Sequence, residues 1–145
     1  MDTAHFRKLE KMYLGANVNT KVFDTTTCNI EAEKATITLD VSEDYYHALG
    51  AIHGAVYFKM LDDAAYFAVS SVVKDNFMLT SSFNINILRP VSKGKLTAVG
   101  TVRYKSSKLY AAEAKLYNQE GKEVAFGTGN FAKSELLLSE EVGYK

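Results

Sequence analysis

A long apolar helix is predicted near the middle of the chain. Twelve of the 15 residues from Ala55 to Val69 are apolar, so apolar side chains fall on nearly every side of such a helix. The helix has to be covered on most sides, whereas a single sheet wraps it on one side only. We therefore expect the remaining apolar surface to contact a second copy of the chain, which predicts a symmetric homo-oligomer.

Charged residues argue against a membrane span in this segment. The stretch 55–73 is about as long as a transmembrane helix, yet Lys59, Asp62 and Asp63 lie near its centre. The N-terminus, MDTAHFRKLEKMYLG, lacks the apolar core of a signal peptide and the acid-poor, Arg-rich character of a transit sequence. We expect a cytoplasmic protein with no membrane partner.

Length, charge and cysteine content narrow the class further. The 145 residues suit one compact domain, predicted as 1–145. The 17 Lys and Arg residues equal the 17 Asp and Glu residues, and no basic block is interleaved with aromatics, so no nucleic-acid partner is expected. The single cysteine, Cys28, excludes an intramolecular disulfide and a Cys-rich zinc cluster, and we expect it half-buried in or near a strand.

The predicted order of elements is helix, strand, long helix and four strands. Phe6, Leu9 and Tyr13 share one face of a short N-terminal helix over 2–14. Alternating apolar residues predict strands at 29–41, 79–89, 95–105, 108–117 and 122–133. Direct hairpins between the later strands predict an antiparallel meander, so the fold class is α+β.

Two segments carry a resemblance to a known family. HALGAIHGAVYFKMLDDA, residues 47–64, resembles the signature of hotdog-fold acyl-CoA thioesterases of the phenylacetate-pathway type, in which Asn-x-x-Gly-x-x-His-Gly-Gly opens the central helix. An acid follows nine residues after the histidine in that family, and counting from His53 it is Asp62. LTSSFNINILRP, residues 79–90, resembles the strand after the helix in these enzymes. The resemblance covers about residues 30–133.

The resemblance implies a hotdog fold, with a five-stranded antiparallel sheet wrapped around the long central helix. It also implies an enzymatic reaction. The reaction is hydrolysis of an acyl-CoA thioester to free acid and coenzyme A, with coenzyme A as part of the substrate and no metal or further cofactor. In the family the carboxylate and the oxyanion donor come from opposite subunits of an antiparallel helix pair. The phenylacetate type suggests a homodimer or a homotetramer built as a dimer of dimers.

Elementary chemistry fits these roles. Free N–H groups at a helix N-terminus stabilise negative charge on a thioester carbonyl oxygen, and Gly54 lets the acyl group come close. A carboxylate at Asp62 activates a water as general base, or attacks the carbonyl and forms an anhydride. At about 1.5 Å per residue, Asp62 lies about 12 Å along the axis from Gly54, so one subunit does not easily bring them together.

Other residues have both a functional and an ordinary interpretation. Asp63 pairs with Lys59 at (i, i+4) spacing, and Asp62 could share that cation. His53 supports the loop by hydrogen bonds rather than binding a metal, since no second ligand lies at a helical spacing. Thr80 is expected to hold the water or the carboxylate, although a hydroxyl at a strand entry is unremarkable.

The sequence departs from the family pattern at two positions. Ala55 replaces the second glycine, and His47 stands where the family has an asparagine that helps place the thioester or the water. His47 is therefore a candidate site residue or an exposed loop residue. Three cations are candidates for the phosphates of coenzyme A or are ordinary surface charges: Arg89, Lys93 and Arg103.

Three functions compete. Apolar side chains on the helix favour an acyl or aryl group and hence the thioesterase: Tyr57, Phe58, Tyr66 and Phe67. The alternative is a non-catalytic acyl-CoA-binding or sensing protein, which His47 favours and Asp62 disfavours. A hydratase or dehydratase is a third interpretation, but its motif is not found.

Overall fold

The computed structural model describes residues 2–145. The helices within that range are α1 (Thr3–Gly15) and α2 (Gly54–Ser70). The strands are β1 (Thr27–Glu31), β2 (Lys34–Asp40), β3 (Asn76–Ile87), β4 (Lys95–Lys105), β5 (Leu109–Tyr117) and β6 (Glu123–Leu137). Short helical turns lie at Val18–Val22, Glu43–Tyr45 and Glu140–Val142. Over the described residues, no helix has the length and apolarity needed to cross a membrane.

The strands form one antiparallel sheet in the order β1, β2, β4, β5, β6, β3. The predicted count of five strands is wrong, because the predicted strand 29–41 is a hairpin. The chain turns at Ala32 and Glu33, where Glu33 adopts a positive φ of 62°, and β1 pairs back onto β2. No glycine, proline or asparagine marks this turn in the sequence.

The predicted meander holds for β4, β5 and β6 but is wrong for β3. β3 pairs with β6 and forms one edge of the sheet, while β4 lies beside β2. The connection over 88–94 is longer than the two to five residues of a tight hairpin. Strands lie about 4.8 Å apart, so this connection has to span only about 14 Å to pass β6 and β5.

The central helix α2 lies against the inner face of the sheet. The helix packs closely against β4 at Gly100, where an added Cβ would lie 2.2 Å from the Ala64 carbonyl oxygen. The predicted alternation is confirmed on the inner face, since the following residues are all buried: Ala35, Ile37, Leu39, Ala98, Ala112, Ala114 and Leu116. The alternation of the strand 95–105 would place Tyr104 on the same face as Leu96 and Ala98, but Tyr104 is exposed, because a bulge between Val102 and Tyr104 shifts the register.

The N-terminal helix α1 covers another side of α2. The Asp2 carboxylate caps α1 by accepting a hydrogen bond from the His5 N–H (3.1 Å). The buried His5 ring bonds to the Ser70 carbonyl through Nε2 (2.9 Å) and to the Tyr144 hydroxyl through Nδ1 (2.7 Å). One imidazole therefore joins α1, the end of α2 and the C-terminal segment.

Candidate active site

The start of α2 offers one free backbone donor. His53 is the N-cap, and its Nδ1 accepts a hydrogen bond from the Ala55 N–H (2.9 Å) while its carbonyl accepts from the Val56 N–H (3.0 Å). The Gly54 N–H makes no hydrogen bond with any residue of 2–145. His53 thus supports the helix start by hydrogen bonds, as expected, and the donor that stays available for an anion is Gly54.

Asp62 lies two turns further along α2, partly buried and without a salt-bridge partner within residues 2–145. Its Oδ1 accepts a hydrogen bond from the Thr80 hydroxyl on β3 (3.0 Å). Desolvation by the surrounding apolar groups is the main cause that raises the pKa of Asp62 to about 6. The Thr80 bond opposes this rise, and the neighbouring Asp63 charge adds to it. The carboxylate is therefore poised to exchange a proton near neutral pH.

The predicted pairing of Asp63 with Lys59 is confirmed. Lys59 Nζ lies 2.8 Å from Asp63 Oδ2 and donates to the Asn19 Oδ1 (2.8 Å) and the Tyr13 hydroxyl (3.1 Å). Tyr13 in turn donates to Asp63 (2.7 Å), and the ammonium lies 4.8 Å from the centroid of the Phe23 ring. Lys59 is fully engaged by this set, which we call the Lys59 cluster: Tyr13, Asn19, Phe23, Lys59 and Asp63. Asp62 does not share the cation.

A cavity of about 460 Å³ opens beside Asp62, within the usual size range of ligand pockets. We call it the Asp62 cavity. Its apolar lining comes from α1, α2, β3 and the two chain ends: Met12, Ala16, Val18, Tyr66, Phe67, Phe77, Met78, Leu79 and Val142. Tyr66 and Phe67 were predicted to line an acyl site and do line this cavity. Tyr57 and Phe58 do not; Tyr57 is buried and donates to the Arg89 carbonyl.

The remaining predicted residues lie elsewhere. His47 is exposed in the loop before α2, where its Nδ1 accepts from the Leu49 N–H (3.1 Å). Arg103 pairs with Glu113 at 3.6 Å across the exposed face of β4 and β5, and Lys93 lies beside Gln119. Arg89 is exposed at the end of β3, and none of the three cations lines the Asp62 cavity. Contact of these cations with coenzyme A phosphates stays a prediction, as do the catalytic roles of His47 and His53.

Sequence reasoning missed the contribution of the chain ends to this site. Tyr13 and Asn19 hold the Lys59 cluster, and Met12, Val18 and Val142 line the Asp62 cavity. Asn19 is buried, although its mostly polar neighbours in the sequence gave no indication of a tertiary contact. Of the Lys59 cluster, the sequence predicted only the pairing of Asp63 with Lys59 on α2.

An antiparallel sheet packed around one central helix defines the hotdog class of α+β folds. The predicted resemblance is confirmed by a family model described as the thioesterase superfamily, which matches residues 49–125. This chain belongs to that superfamily.

Solved structures with the same fold include the PaaI protein of the Escherichia coli phenylacetic acid degradation operon. It is 21% identical, with a TM-score of 0.83 over 94% of this chain and 98% of that one. A thioesterase of Haemophilus influenzae is 18% identical, with a TM-score of 0.78 over 92% of each chain. A mutant thioesterase of Pseudomonas aeruginosa is 18% identical, with a TM-score of 0.74 over 88% of this chain and 94% of that one. No curated protein matches the chain in sequence.

Proposed function

We propose that this protein hydrolyses an acyl-CoA thioester to a free acid and coenzyme A. The observation that carries the proposal is Asp62, a carboxylate with a raised pKa and no salt-bridge partner among the described residues, at the wall of a largely apolar cavity. A structural carboxylate in this position would be expected to pair with Lys59, but Asp63 takes that cation. Membership of the thioesterase superfamily supports the same reaction class.

The proposed reaction starts with water. Asp62 removes a proton as the water oxygen attacks the thioester carbonyl carbon, and the carbonyl oxygen becomes an oxyanion. The Gly54 N–H at the positive end of α2 stabilises that charge. The carbon–sulfur bond then breaks, and the coenzyme A thiolate leaves with the proton from Asp62. A second route, attack by Asp62 itself to form an anhydride that water cleaves, uses the same residues.

The two groups meet between subunits in this proposal. Within one chain Gly54 and Asp62 lie about 12 Å apart along α2. The side of α2 left open carries Ala55, Phe58 and Asp62, at helical spacing. Phe58 is 40% exposed and lies midway between Gly54 and Asp62 in the sequence. Two copies of α2 that cross antiparallel at Phe58 would bring Asp62 of one copy to Gly54 of the other.

Thiol release from a panel of acyl-CoAs tests the proposal, with wild type and Asp62→Asn assayed side by side. We expect release from wild type and a loss of kcat of at least about 100-fold in Asp62→Asn, as is typical when a general base is removed. Both proteins should show the same oligomeric state. Equal rates in the two proteins would refute the role of Asp62. Binding of acyl-CoA without any release would instead favour the acyl-CoA-sensing alternative.

The two routes are separated by single-turnover hydrolysis in water enriched in ¹⁸O. Water attack on the thioester places the label in the acid product only. The anhydride route lets water attack either carbonyl, and attack at the Asp62 carbonyl leaves the label in Asp62 and an oxygen of Asp62 in the product. Label in the side chain of Asp62, detected by mass spectrometry of the peptide, would establish the anhydride.

A further inference from the structure

The polar groups around the Asp62 cavity are already satisfied by one another. Tyr13, Asn19, Lys59 and Asp63 bond together in the Lys59 cluster. The Tyr66 hydroxyl donates to the Met78 carbonyl (2.7 Å). Among the lining residues in 2–145, Lys59 is the one cation, and it already faces Asp63 at 2.8 Å and so is not left to bind an anion. A ligand in this cavity would therefore meet mostly apolar surface, and outside the Lys59 cluster the charged or hydroxyl groups it meets are Asp62, Thr80 and the already bonded Tyr66 hydroxyl.

The rim of the cavity exposes apolar side chains that a folded chain usually covers. Val18, Leu79 and Val142 are 45%, 49% and 43% exposed. They come from three segments far apart in the sequence and converge on one cavity. The floor, by contrast, is buried and includes Met12 and Phe67. A continuous apolar surface thus runs from solvent to the carboxylate.

We propose that the Asp62 cavity holds the acyl group of the substrate, and that this group is uncharged and apolar, either a medium-length chain or an aryl ring. The inference rests on the proposed function for the position of the thioester beside Asp62. Burial of the apolar acyl group against the apolar lining supplies the binding free energy. An acyl group that ends in a carboxylate is rejected, because its charge would lose water without gaining a cation.

Part of the site also lies outside the stretch of the chain that matches the family. The family model covers residues 49–125 and includes Asp62 and Thr80. Six lining residues lie beyond it: Met12, Tyr13, Ala16, Val18, Asn19 and Val142. The proposed catalytic groups thus lie in the shared core, and the two ends of this chain contribute to the choice of acyl group. The Lys59 cluster and the His5 bond to Tyr144 hold these ends in place.

Non-hydrolysable thioethers of coenzyme A test the inference by calorimetry. S-octyl and S-methyl coenzyme A share every group except the chain, and S-(7-carboxyheptyl) coenzyme A adds a terminal charge. We expect wild type to bind the octyl compound at least about tenfold more tightly than the methyl compound. The carboxylated compound should lose at least about tenfold relative to the octyl compound.

Ala16→Phe fills the cavity mouth at an exposed position, and Ala4→Phe, exposed at the other end of α1, is its matched control. We expect Ala16→Phe to lower the octyl-to-methyl ratio about tenfold and Ala4→Phe to leave it unchanged. Val142→Gln, on the C-terminal turn, should lower the ratio about threefold, and it decides the question if Ala16→Phe does not fold.

Three results would overturn the inference: an octyl-to-methyl ratio near one in wild type, a ratio that no cavity variant changes, or equal binding of the carboxylated compound. The thioethers report binding alone. Absence of thiol release from every acyl-CoA would therefore refute the proposed function while the octyl-specific loss in the variants still supported this site. Thiol release by wild type, together with no octyl-specific loss of binding in the variants, would instead support the proposed function and refute this site.

Discussion

Asp62 is a carboxylate that the fold makes harder to ionise. Its pKa is raised from 3.8 to about 6, so the folded state holds the proton more tightly than the unfolded chain does. The contribution of this group to the free energy of unfolding therefore falls as pH rises from about 4 to about 6. Above about pH 6 the full cost of ionising the partly buried carboxylate is present. Such a cost is typical of a residue retained for function.

Asp62→Asn should accordingly stabilise the protein at pH 7. We expect the free energy of unfolding to rise by about 1–2 kcal/mol. This is less than the pKa shift alone would give, because solvent screens the partly exposed side chain. The gain should disappear at pH 4, where the carboxyl of the wild type is protonated in both states. Urea denaturation at the two pH values and one protein concentration measures it. A loss of stability at pH 7 would mean that Asp62 has a structural role.

Thr80→Val should shift the pH dependence of activity. The Thr80 hydroxyl lowers the pKa of Asp62, so its removal raises that pKa above about 6. In the proposed mechanism Asp62 is a base that acts only when ionised, so the acidic limb of kcat/KM should move upward by about one pH unit. Thr80→Ser keeps the hydroxyl and is the control. An acidic limb that stays in place in Thr80→Val would separate Thr80 from the ionisation of Asp62.

At the scale of elements, the contact between α2 and β4 fixes the position of the site. Gly100 faces the backbone of Ala64, one residue after Asp63, so this contact holds the turn of α2 that carries the carboxylates. An alanine Cβ would lie 2.2 Å from the Ala64 carbonyl oxygen and 2.3 Å from its carbon, and neither can move without shifting the helix.

Gly100→Ala should therefore destabilise the protein by about 3 kcal/mol or more. Gly15→Ala is the matched control, because an added Cβ there meets nothing within 4 Å and the residue ends α1. We expect Gly15→Ala to be neutral or to stabilise by up to about 1 kcal/mol. Thermal and urea unfolding measure both, and equal stability of the two variants would contradict the close packing of α2 on β4.

Local pattern predicted most of the elements but not all of their partners. The apolar length of α2 followed from composition, the strand β5 followed from periodicity, and Asp63 with Lys59 followed from helical spacing. The turn at Glu33 was missed because a strand periodicity runs straight through it. The pairing of β3 with β6 was missed because strand order depends on contacts distant in sequence.

The candidate site divides in the same way. Asp62, Gly54 and Thr80 came from a motif, that is, from residues whose spacing the family fixes. The Asp62 cavity did not, because Met12, Val18 and Val142 meet only when both ends of the chain fold over α2. His5 gave no indication of a role, yet its ring joins three segments through two hydrogen bonds. Contacts of this kind have no local sequence pattern.

In the proposed mechanism the active molecule contains two copies of the chain. The open edge of β3 and the exposed Phe58 lie on the same side of the chain, since the Phe58 ring packs against Phe83 of β3 with centroids 5.6 Å apart. An unpaired edge strand and an exposed aromatic side chain both favour association. We expect this side to form the dimer.

Phe58→Glu should dissociate the proposed dimer and abolish activity, because it places a charge at the point where the two helices would cross. Phe126→Glu is the matched control: Phe126 is 38% exposed, close to the 40% of Phe58, but lies on β6 away from α2. We expect the control to remain at least dimeric and active. Light scattering and thiol release measure both variants, and an active monomer of Phe58→Glu would contradict a shared site.

The most direct test combines two inactive variants in one dimer. Gly54→Pro removes the Gly54 N–H and adds a ring where the acyl group would come close. The helix itself should persist, since proline is well tolerated at the first position of a helix and His53 already has an extended backbone. Asp62→Asn removes the carboxylate. If each site takes one group from each subunit, a mixed dimer of the two variants contains one intact site.

Co-expression with two different tags, followed by purification of dimers that carry both, isolates the mixed species for a thiol-release assay. We predict that each parent variant is inactive and that the mixed dimer recovers about half the wild-type rate, one of two sites. A mixed dimer as inactive as its parents would contradict the account, because the carboxylate and the oxyanion donor would then have to act within one chain.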